Sequence, residues 1–376
     1  MRFFDFNDEW TKAIFSEVFE TLSNNTLPRD SLNYDSGEIK NVHYGDVLVK
    51  FPTFLNVGDP EVPFIKNDVI CKSDRLENGD VVIADTAEDY EVGKAIEIHG
   101  IKDIGVVAGL HTVPCRTRPI FATGYLGYYL NSKPYRSRLV PFIQGIKVYG
   151  ISRSNLLRTE IAFPSLKEQT KIAGLLIALD KRIFTQNKII EALETQRKQL
   201  RISIFKQMTG CEKTIGSILD YEQPTKYLVA SDEYSDDASL TPVLTANKSF
   251  VLGYTNEEGI YSKGHAIILD DFTLDMKYVS FPFKVKSSAI KILTCESLPT
   301  LRFAYEYLSF LGLSSSEHKR HYISEVCPMT IPIPDSGKIR QIACLFERLE
   351  QRVKTEQSAL ALMKDQKQYL LKNLFI

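Results

Sequence analysis

The side chains with the most evident chemical use are basic and hydroxyl residues gathered in short stretches. "HTVPCRTRP" (111–119) sets two arginines on a turn held by prolines, and "SKPYRSRL" (132–139) adds three basic residues. "MKYVSFPFKVKSSAIK" (276–291) carries four lysines and no acid. Lysine and arginine hold phosphates, while arginine, serine and threonine also read base edges in the DNA major groove. These stretches indicate either a nucleic-acid surface or the polar faces of half-buried strands, and the pattern alone favours neither.

Nineteen residues in and near these stretches are candidates for contact with DNA. Strand alternation predicts that Lys284 and Lys286 share one strand face, opposite Phe283 and Val285. The full set of candidates is Lys94, His111, Thr112, Arg116, Thr117, Arg118, Lys133, Arg136, Arg138, Lys263, His265, Lys277, Lys284, Lys286, Ser287, Ser288, Lys291, Lys319 and Arg320.

Signatures of catalysis are missing from the sequence. "GIYSKGH" (259–265) has the glycine spacing of a phosphate loop, but His265 stands where a lysine is needed. The histidines show no chelating pattern beyond "HKRH" (318–321), which is more typical of a basic loop, and the six cysteines form no CxxC pair. We therefore predict no catalytic residue, no metal site and no cofactor in this chain.

Charge is unevenly distributed along a chain whose net charge is −1. Residues 1–100 hold 9 Lys/Arg and 20 Asp/Glu, whereas residues 101–162 hold 9 and 2, and residues 163–208 hold 9 and 4. Basic blocks of this kind suit a surface that faces a polyanion, although the helical block is better explained as a solvated helix face. No window of about 18 apolar residues occurs and the N-terminus is acidic, so we expect a cytoplasmic protein without a membrane span.

A tandem repeat is the main signal in the sequence. Residues 163–206 align without a gap on residues 333–376, with ten identical positions. Both segments place apolar residues at alternating steps of four and three, which predicts two long helices with coiled-coil seams. The predicted seam residues are Ile172, Leu176, Leu179, Ile183, Ile190, Leu193, Leu200, Ile204, Ile342, Phe346, Leu349, Val353, Leu360, Met363, Leu370 and Leu374.

Polar residues interrupt both seams at matched places, Gln186 with Glu356 and Arg197 with Lys367. Polar seam positions destabilise a coiled coil but specify its register and partner. Two matched helices, each closing a segment of similar size, favour a duplicated unit whose helices pair with each other. We predict antiparallel pairing about a pseudo-two-fold axis, because this arrangement closes a tandem repeat as an isologous dimer does.

The segments before each helix contain short apolar runs between Gly, Pro and Asp, which predict strands. In the first segment these runs are "GDVLVKF", "NDVICKS", "GDVVIAD", "GKAIEIHG" and "IGVVAGLHTV", followed by a helix near residue 125. Residues 11–20 also loosely resemble residues 212–221. The fold class is therefore α+β: a globule at 1–160, a helix at 161–208, a second globule at 209–332 and a second helix at 333–376.

Several motifs resemble the specificity subunit of type I restriction–modification enzymes, over nearly the whole chain. "RFFDFNDEW" looks like the opening of that family, and "FPSLKEQTKIAGLLIALDKRI" looks like its central helix. "GDVVIADTAEDYEVGKAIEI", with "GLHT" and "YLGYYLNS", resembles one kind of target-recognition domain. "YEQPTKYLV", "PVLTANKSFVLGYT" and "DDFTLDMKYVSFPFKVKSSAIKIL" resemble another. The second helix departs from the pattern, since Lys338 and Ile339 replace Glu168 and Gln169 at its entry.

The resemblance implies two target-recognition domains, each reading one half of a split, asymmetric DNA site. It further implies that the paired helices set the gap and dock two methyltransferase subunits, with restriction (motor–nuclease) subunits completing the complex. S-adenosylmethionine, ATP and Mg²⁺ would belong to those partner subunits. The alternatives are a coiled-coil scaffold without DNA specificity and a stand-alone nucleic-acid enzyme, which would turn over substrate without partners.

Overall fold

The computed structural model describes residues 2–59, 61–247, 249–317 and 319–376. The chain forms two compact units, of which the first comprises Met1–Asn187 with Ala359–Ile376 and the second comprises Lys188–Ser358. No helix among these described residues is long and apolar enough to cross a membrane.

The first unit is built around a five-stranded sheet in the order β2-β11-β7-β9-β5, beside a four-stranded sheet in the order β10-β4-β6-β3. Its strands are β1 (Thr11–Ile14), β2 (Phe19–Thr21), β3 (Leu32–Asn33), β4 (Ile39–Val42), β5 (Phe54–Asn56), β6 (Phe64–Ile65), β7 (Val81–Ala84), β8 (Thr86–Ala87), β9 (Ala95–His99), β10 (Gly105–Ala108), β11 (Thr112–Thr117), β12 (Tyr149–Gly150) and β13 (Glu160–Phe163). Its helices are α1 (Phe15–Val18), α2 (Tyr44–Val49), α3 (Tyr125–Leu130), α4 (Lys133–Leu139), α5 (Arg153–Leu156) and the first part of α6 (Leu166–Phe205).

The second unit contains a four-stranded sheet in the order β15-β21-β18-β19 and a three-stranded sheet in the order β17-β16-β20. Its strands are β14 (Cys211–Thr214), β15 (Asp220–Glu222), β16 (Thr241–Leu244), β17 (Val251–Thr255), β18 (Ala266–Asp270), β19 (Met276–Val279), β20 (Lys284–Val285), β21 (Ile290–Thr294) and β22 (Thr330–Ile333). Its helices are α7 (Ile215–Ile218), α8 (Leu298–Leu311), a π-helical turn (Tyr322–Val326) and most of α9 (Ser336–Asn373).

The two long helices run antiparallel, as the repeat predicted. In the first unit, Ile172 and Leu176 near the start of α6 share a core with Leu370 near the end of α9. In the second unit, Ile204 near the end of α6 packs in the same core as Ile342 near the start of α9. All sixteen predicted seam residues are buried or half-buried. Apolar burial of this kind, about 25 cal/mol per Å², stabilises both helices more than propensity does.

Both globules close in the same way. Strand β1 pairs with β13 immediately before α6, and β14 pairs with β22 immediately before α9. A one-turn helix follows the first strand in each case, and it begins at the fully buried Phe15 or Ile215. The two segments therefore have the same strand and helix order, as their sequence likeness predicted. The predicted alignment is off by one residue, because Phe15 corresponds to Ile215 and not to residue 216.

Two predicted strands of the first globule are wrong. "GDVLVKF" lies in helix α2, whose first turn is capped by the His43 side chain, which accepts a hydrogen bond from the Gly45 backbone N–H. Val47 is buried against the sheet, whereas Val49 is 87% exposed. The apolar run therefore places only one side of a short helix in the core. "NDVICKS" forms no strand at all. Short apolar runs do not by themselves distinguish a strand from a helical turn.

The N-terminal ends of the two long helices, α6 and α9, are stabilised by different residues, as their sequences indicated. Glu168 is buried and receives two hydrogen bonds from the Arg2 guanidinium, at 2.8 and 2.7 Å. Gln169 accepts a hydrogen bond from the Ala122 backbone N–H at 3.0 Å. At α9 the carboxylate of Asp335 instead accepts from the backbone N–H groups of residues 337 and 338, at 2.9 and 3.0 Å. Asp335 therefore caps the N-terminus of α9, where Lys338 and Ile339 replace the Glu-Gln pair found in α6.

Candidate nucleic-acid interface

His111 is an exposed predicted contact residue beside the five-stranded sheet of the first globule. It occupies the turn before β11 with a left-handed backbone (φ 54°), a conformation that is uncommon outside glycine. Its side chain is 46% exposed, with Nδ1 3.5 Å from Asp85 Oδ1 and 3.4 Å from Thr86 Oγ1. The Tyr44 ring meets the His111 ring edge-on at 5.2 Å. The side chains around His111 therefore bring an imidazole, a hydroxyl, a phenol and a carboxylate to one end of the β7–β11 strand pair. Groups of these kinds can form hydrogen bonds to DNA bases.

Sequence reasoning missed Tyr44, Asp85 and Thr86 in this cluster. Tyr44 immediately precedes a segment predicted as a strand. Asp85 and Thr86 lie in the motif "GDVVIADTAEDYEVGKAIEI" but were not among the predicted contact residues. The backbone N–H of Asp85 donates to the His111 carbonyl at 3.1 Å, which joins the two loops. Asp85 and His111 come together because they flank the end of the antiparallel pair β7–β11, in which Ala84 lies opposite Thr112.

Several basic candidates of the first globule bind the protein itself. Arg116 donates to both oxygens of the buried Asp80, at 2.9 and 2.8 Å, and these hydrogen bonds raise the pKa of its guanidinium. Lys94 donates to the Leu48 carbonyl at 2.5 Å, and burial lowers the pKa of its amine. Arg136 donates to the Val92 carbonyl at 2.6 Å. These contacts stabilise the fold, and they occupy most of the hydrogen-bond donors with which these side chains could bind DNA.

The remaining candidates of this globule divide by exposure. Thr112 is buried, and its hydroxyl donates to the Gly109 carbonyl at 2.6 Å. Thr117 and Arg138 are half-buried, whereas Arg118 and Lys133 are exposed. We therefore retain Arg118 and Lys133, with His111, as residues able to contact a ligand.

In the second globule, Lys284 and Lys291 are buried, whereas Lys286, which was predicted to share a strand face with Lys284, is exposed. Lys284 is 3% exposed and lies 3.3 Å from Glu257 Oε2. Lys291 is 1% exposed and lies 3.3 Å from Asp271 Oδ2, itself 1% exposed. Strand β20 spans only Lys284–Val285, and both of its residues are buried. Each lysine ammonium pairs with a carboxylate, the half-buried Glu257 or the fully buried Asp271, which compensates for the burial of the lysine.

Asp271 joins the exposed basic loops of this globule. Its backbone N–H donates to the Ala289 carbonyl at 3.0 Å. Its carboxylate accepts from the backbone N–H groups of His321 and Tyr322, at 3.1 and 2.7 Å. The loops at 286–288 and 319–320 therefore lie on either side of one buried acid. Sequence reasoning missed Asp271, although "LDDFT" marks a turn at this place.

The candidates on these loops differ in how freely they can reach a ligand. Ser288 and Arg320 are exposed. Lys286 is exposed, with Nζ 3.4 Å from an oxygen of the exposed Asp232, and Ser287 is half-buried. Lys319 is exposed and contacts Glu317 and Glu325, at 2.7 and 3.0 Å.

Three further candidates lie away from these loops. Lys263 binds Glu222 at 2.8 Å. His265 Nδ1 lies 2.8 Å from the Tyr278 hydroxyl, and Lys277 is half-buried on β19. Within the "HKRH" stretch, His318 lies outside the described residues.

A repeat-related ion pair joins α6 and α9 in each unit. In the first unit, Asp180 Oδ1 lies 2.7 Å from Lys367 Nζ, and Asp180 Oδ2 accepts a hydrogen bond from the Tyr128 hydroxyl at 2.8 Å. The Lys367 ammonium also lies 5.6 Å from the centre of the Tyr128 ring. We call Tyr128, Asp180 and Lys367 the first clamp. Because Tyr128 belongs to α3, the first clamp ties the first globule to both long helices.

The second clamp comprises Arg197, Arg201, Arg302, Glu306 and Glu350. Glu306 on α8 is fully buried and contacts all three arginines, at 2.8, 2.5 and 2.7 Å. Arg302 also binds Glu350 on α9 at 2.5 Å, and Arg197 lies 4.0 Å from the same carboxylate. Burial alone would raise the pKa of Glu350, but its hydrogen bonds and the nearby cations hold that pKa below its ordinary value.

Each clamp borders a cleft between its globule and the helices. The cleft of the first unit has a volume of about 620 Å³ and an apolar lining that includes Phe54, Ile177 and Phe184. The cleft of the second unit is about 150 Å³ and is lined by His265, Glu347 and other polar residues. The helix residues that line the two clefts are related by the 170-residue repeat, and they are Ile177 with Glu347, Asp180 with Glu350, Lys181 with Gln351, and Phe184 with Lys354.

The fold of this chain is similar to the folds of two chains from type I restriction–modification systems. The fold is similar to the S subunit of the type I system of M. genitalium, with a TM-score of 0.64 and 16% identity over 98% of this chain and 97% of that one. A chain from a structure of type I restriction–modification complex assembly and conformational transition matches with a TM-score of 0.57 and 14% identity, over 97% of both chains.

Sequence similarity points to the same class. The chain is 50% identical over 127 residues to the EcoR124I/EcoR124II specificity subunit of Escherichia coli, a match that covers 32% of this chain and 31% of the relative. The matched part thus spans about a third of the curated relative's length. No protein-family model matches the chain. These similarities confirm the resemblance predicted from the sequence motifs.

Proposed function

We propose that this chain is the sequence-reading subunit of a type I restriction–modification complex, with each globule reading one half of a bipartite, asymmetric DNA site. The observation that carries the proposal is the joint similarity to specificity subunits, in fold over nearly the whole chain and in sequence at 50% identity over 127 residues. The repeated architecture supports it, since two globules entered by the same strand pair are suited to two half-sites.

Base and phosphate contacts would come from the exposed members of the loop clusters. In the first globule these are His111, Arg118 and Lys133, and in the second they are the loops at 286–288 and 319–320. We do not assign this role to the buried Lys284 and Lys291, because the ammonium group of each already pairs with a carboxylate, that of Glu257 or Asp271. Phosphate contacts make affinity fall steeply with salt, whereas base contacts set the sequence that is read.

Catalysis would belong to the partners. Two methyltransferase subunits with S-adenosylmethionine would methylate adenine after flipping it from the stack, and restriction subunits would supply ATP- and Mg²⁺-dependent cleavage. The outer face of α6, including the exposed Arg182, would be a docking surface for the methyltransferase subunits. Lys181, predicted to belong to the same face, is exposed but lines the cleft of the first unit. The complex would work in the cytoplasm, where chromosomal DNA is accessible.

The direct test is to express this chain with its methyltransferase partner in a host lacking other adenine methylation, and to map modified adenines by sequencing. We expect one motif with two defined halves, separated by an undefined gap of constant length. A contiguous motif, or methylation that is unchanged when this chain is omitted, would contradict the proposal. A scaffold without DNA specificity would give partner binding but no motif.

A further inference from the structure

The two clamps occupy equivalent places in the repeat but are built from different residues. Asp180 and Glu350 are related by the 170-residue shift, and so are Arg197 and Lys367. The pair Asp180–Lys367 in the first unit therefore corresponds to the pair Glu350–Arg197 in the second. Arg197 and Lys367 form one of the two matched polar interruptions of the apolar seams, so this interruption has a specific partner in each unit.

Each clamp also contains a side chain from a helix of its globule. Tyr128 of α3 donates to Asp180, and Arg302 of α8 donates to Glu350. Burial and the neighbouring Asp180 raise the pKa of the Tyr128 hydroxyl, so it remains a neutral donor. Hydrogen bonds of this kind depend on distance and direction, whereas apolar seam contacts tolerate sliding and rotation. A polar contact between three helices therefore selects one arrangement of globule and helices.

We propose that the two clamps are positioning elements: each holds its globule at one angle on the helix pair, and together they restrict the gap between half-sites that the protein accepts. This inference rests on the proposed function and names residues that would determine part of its specificity. The clamp residues do not contact DNA under this proposal, and they affect binding only by fixing the orientation of each globule on the helices. Weakening a clamp should therefore broaden gap selection without altering the half-site sequences.

The clamps should differ in sensitivity. The first clamp is one ion pair and one phenol, with Asp180 25% and Lys367 21% exposed. The second clamp buries Glu306 completely among three arginines. Removing Glu306 would leave buried cations without a partner, which destabilises the fold. The first clamp is therefore the better place for a test, because its loss should leave the protein folded.

The experiment selects DNA from a random pool with the complex of this chain and its methyltransferase subunits, and reads the gap length by sequencing. The variants are Asp180→Asn and Tyr128→Phe, and Glu191→Gln is the matched control, since Glu191 pairs with Lys188 on the exposed face of α6. In the clamp variants, the fraction of selected sites whose gap differs by one base pair should rise by about fivefold. This is the factor for about 1 kcal/mol, from the lost ion pair in Asp180→Asn and from the lost hydrogen bond in Tyr128→Phe. The half-site sequences should be unchanged, and the control should match the unsubstituted protein.

Two outcomes would overturn the inference. Gap selection as narrow as that of the unsubstituted protein would show that the first clamp does not position the globule. A parallel loss of all selected sites, with a lowered melting temperature, would show a structural role only. If the unsubstituted complex selects no bipartite site, the proposed function fails as well, and this result is distinct from the other two.

Discussion

At the scale of single residues, Lys291 and Arg320 flank the same acid, Asp271, but have different environments. Lys291 is 1% exposed and lies 3.3 Å from the Asp271 carboxylate, whereas Arg320 is exposed. We predict that Lys291→Met lowers the free energy of unfolding by about 3–5 kcal/mol, because it leaves a buried carboxylate without its cation. Urea unfolding measures this loss.

Arg320→Ala is the matched comparison. Its unfolding free energy should change by less than about 0.5 kcal/mol, as for most surface substitutions, while DNA affinity and its salt dependence decrease. If Lys291→Met instead left stability intact and weakened DNA binding, the assignment of the two residues would have to be exchanged.

Glu97 predicts a pH dependence of stability. It is 2% exposed on β9, and burial raises its pKa from 4.5 to about 7, against the opposing effect of hydrogen bonds from the backbone N–H groups of Gly124 and Gly127. Because the folded pKa exceeds the unfolded one, this contribution to stability is complete below about pH 4.5 and is lost as pH rises through about 7.

Unfolding free energy should therefore fall by about 1–3 kcal/mol between pH 5 and pH 8 on account of this group. In Glu97→Gln that part of the slope should disappear, whereas Glu88→Gln, on an exposed loop, should retain it. Equal slopes in both variants would contradict the assignment.

At the scale of elements, the long helices were predictable and the loops were not. A heptad pattern repeated over forty residues leaves little choice of structure, and α6 and α9 lie within the predicted segments. By contrast, "GDVLVKF" became helix α2, and Lys284 was buried, because both depend on contacts distant in sequence. The second clamp was unpredictable for the same reason, since Glu306 lies more than 100 residues from Arg197.

The helix core gives a prediction at this scale. Phe346 on α9 is fully buried and stacks with Phe205 of α6, with ring centres 6.1 Å apart. Phe346→Ala should lower the free energy of unfolding by about 3–5 kcal/mol through lost burial and a residual cavity. Leu362→Ala, at a helix position that is 70% exposed, should have little effect on thermal unfolding. Similar losses in both variants would argue against a paired-helix core at Phe346.

At the scale of the whole molecule, the sequence carried the architecture and the class of protein, because repeats and family motifs are visible without coordinates. The sequence did not show which of the predicted DNA-contact residues are exposed and which are buried in the core. Of the nineteen predicted DNA-contact residues, Thr112, Lys284 and Lys291 are buried. Tyr44 and Asp271 were not predicted, yet Tyr44 contacts the exposed His111 ring and Asp271 binds the backbone at residues 321 and 322. Which of the exposed residues read bases and which hold phosphates remains a prediction for the experiments above.

The central claim is that each globule reads one half of the site. The measurement that tests it most directly replaces residues 209–332 with the corresponding globule of a homologue, and maps methylated adenines in a host that also carries the methyltransferase partner. The account predicts a motif in which one half changes, while the other half and the gap are retained. A motif altered in both halves, or unaltered in either, would contradict it.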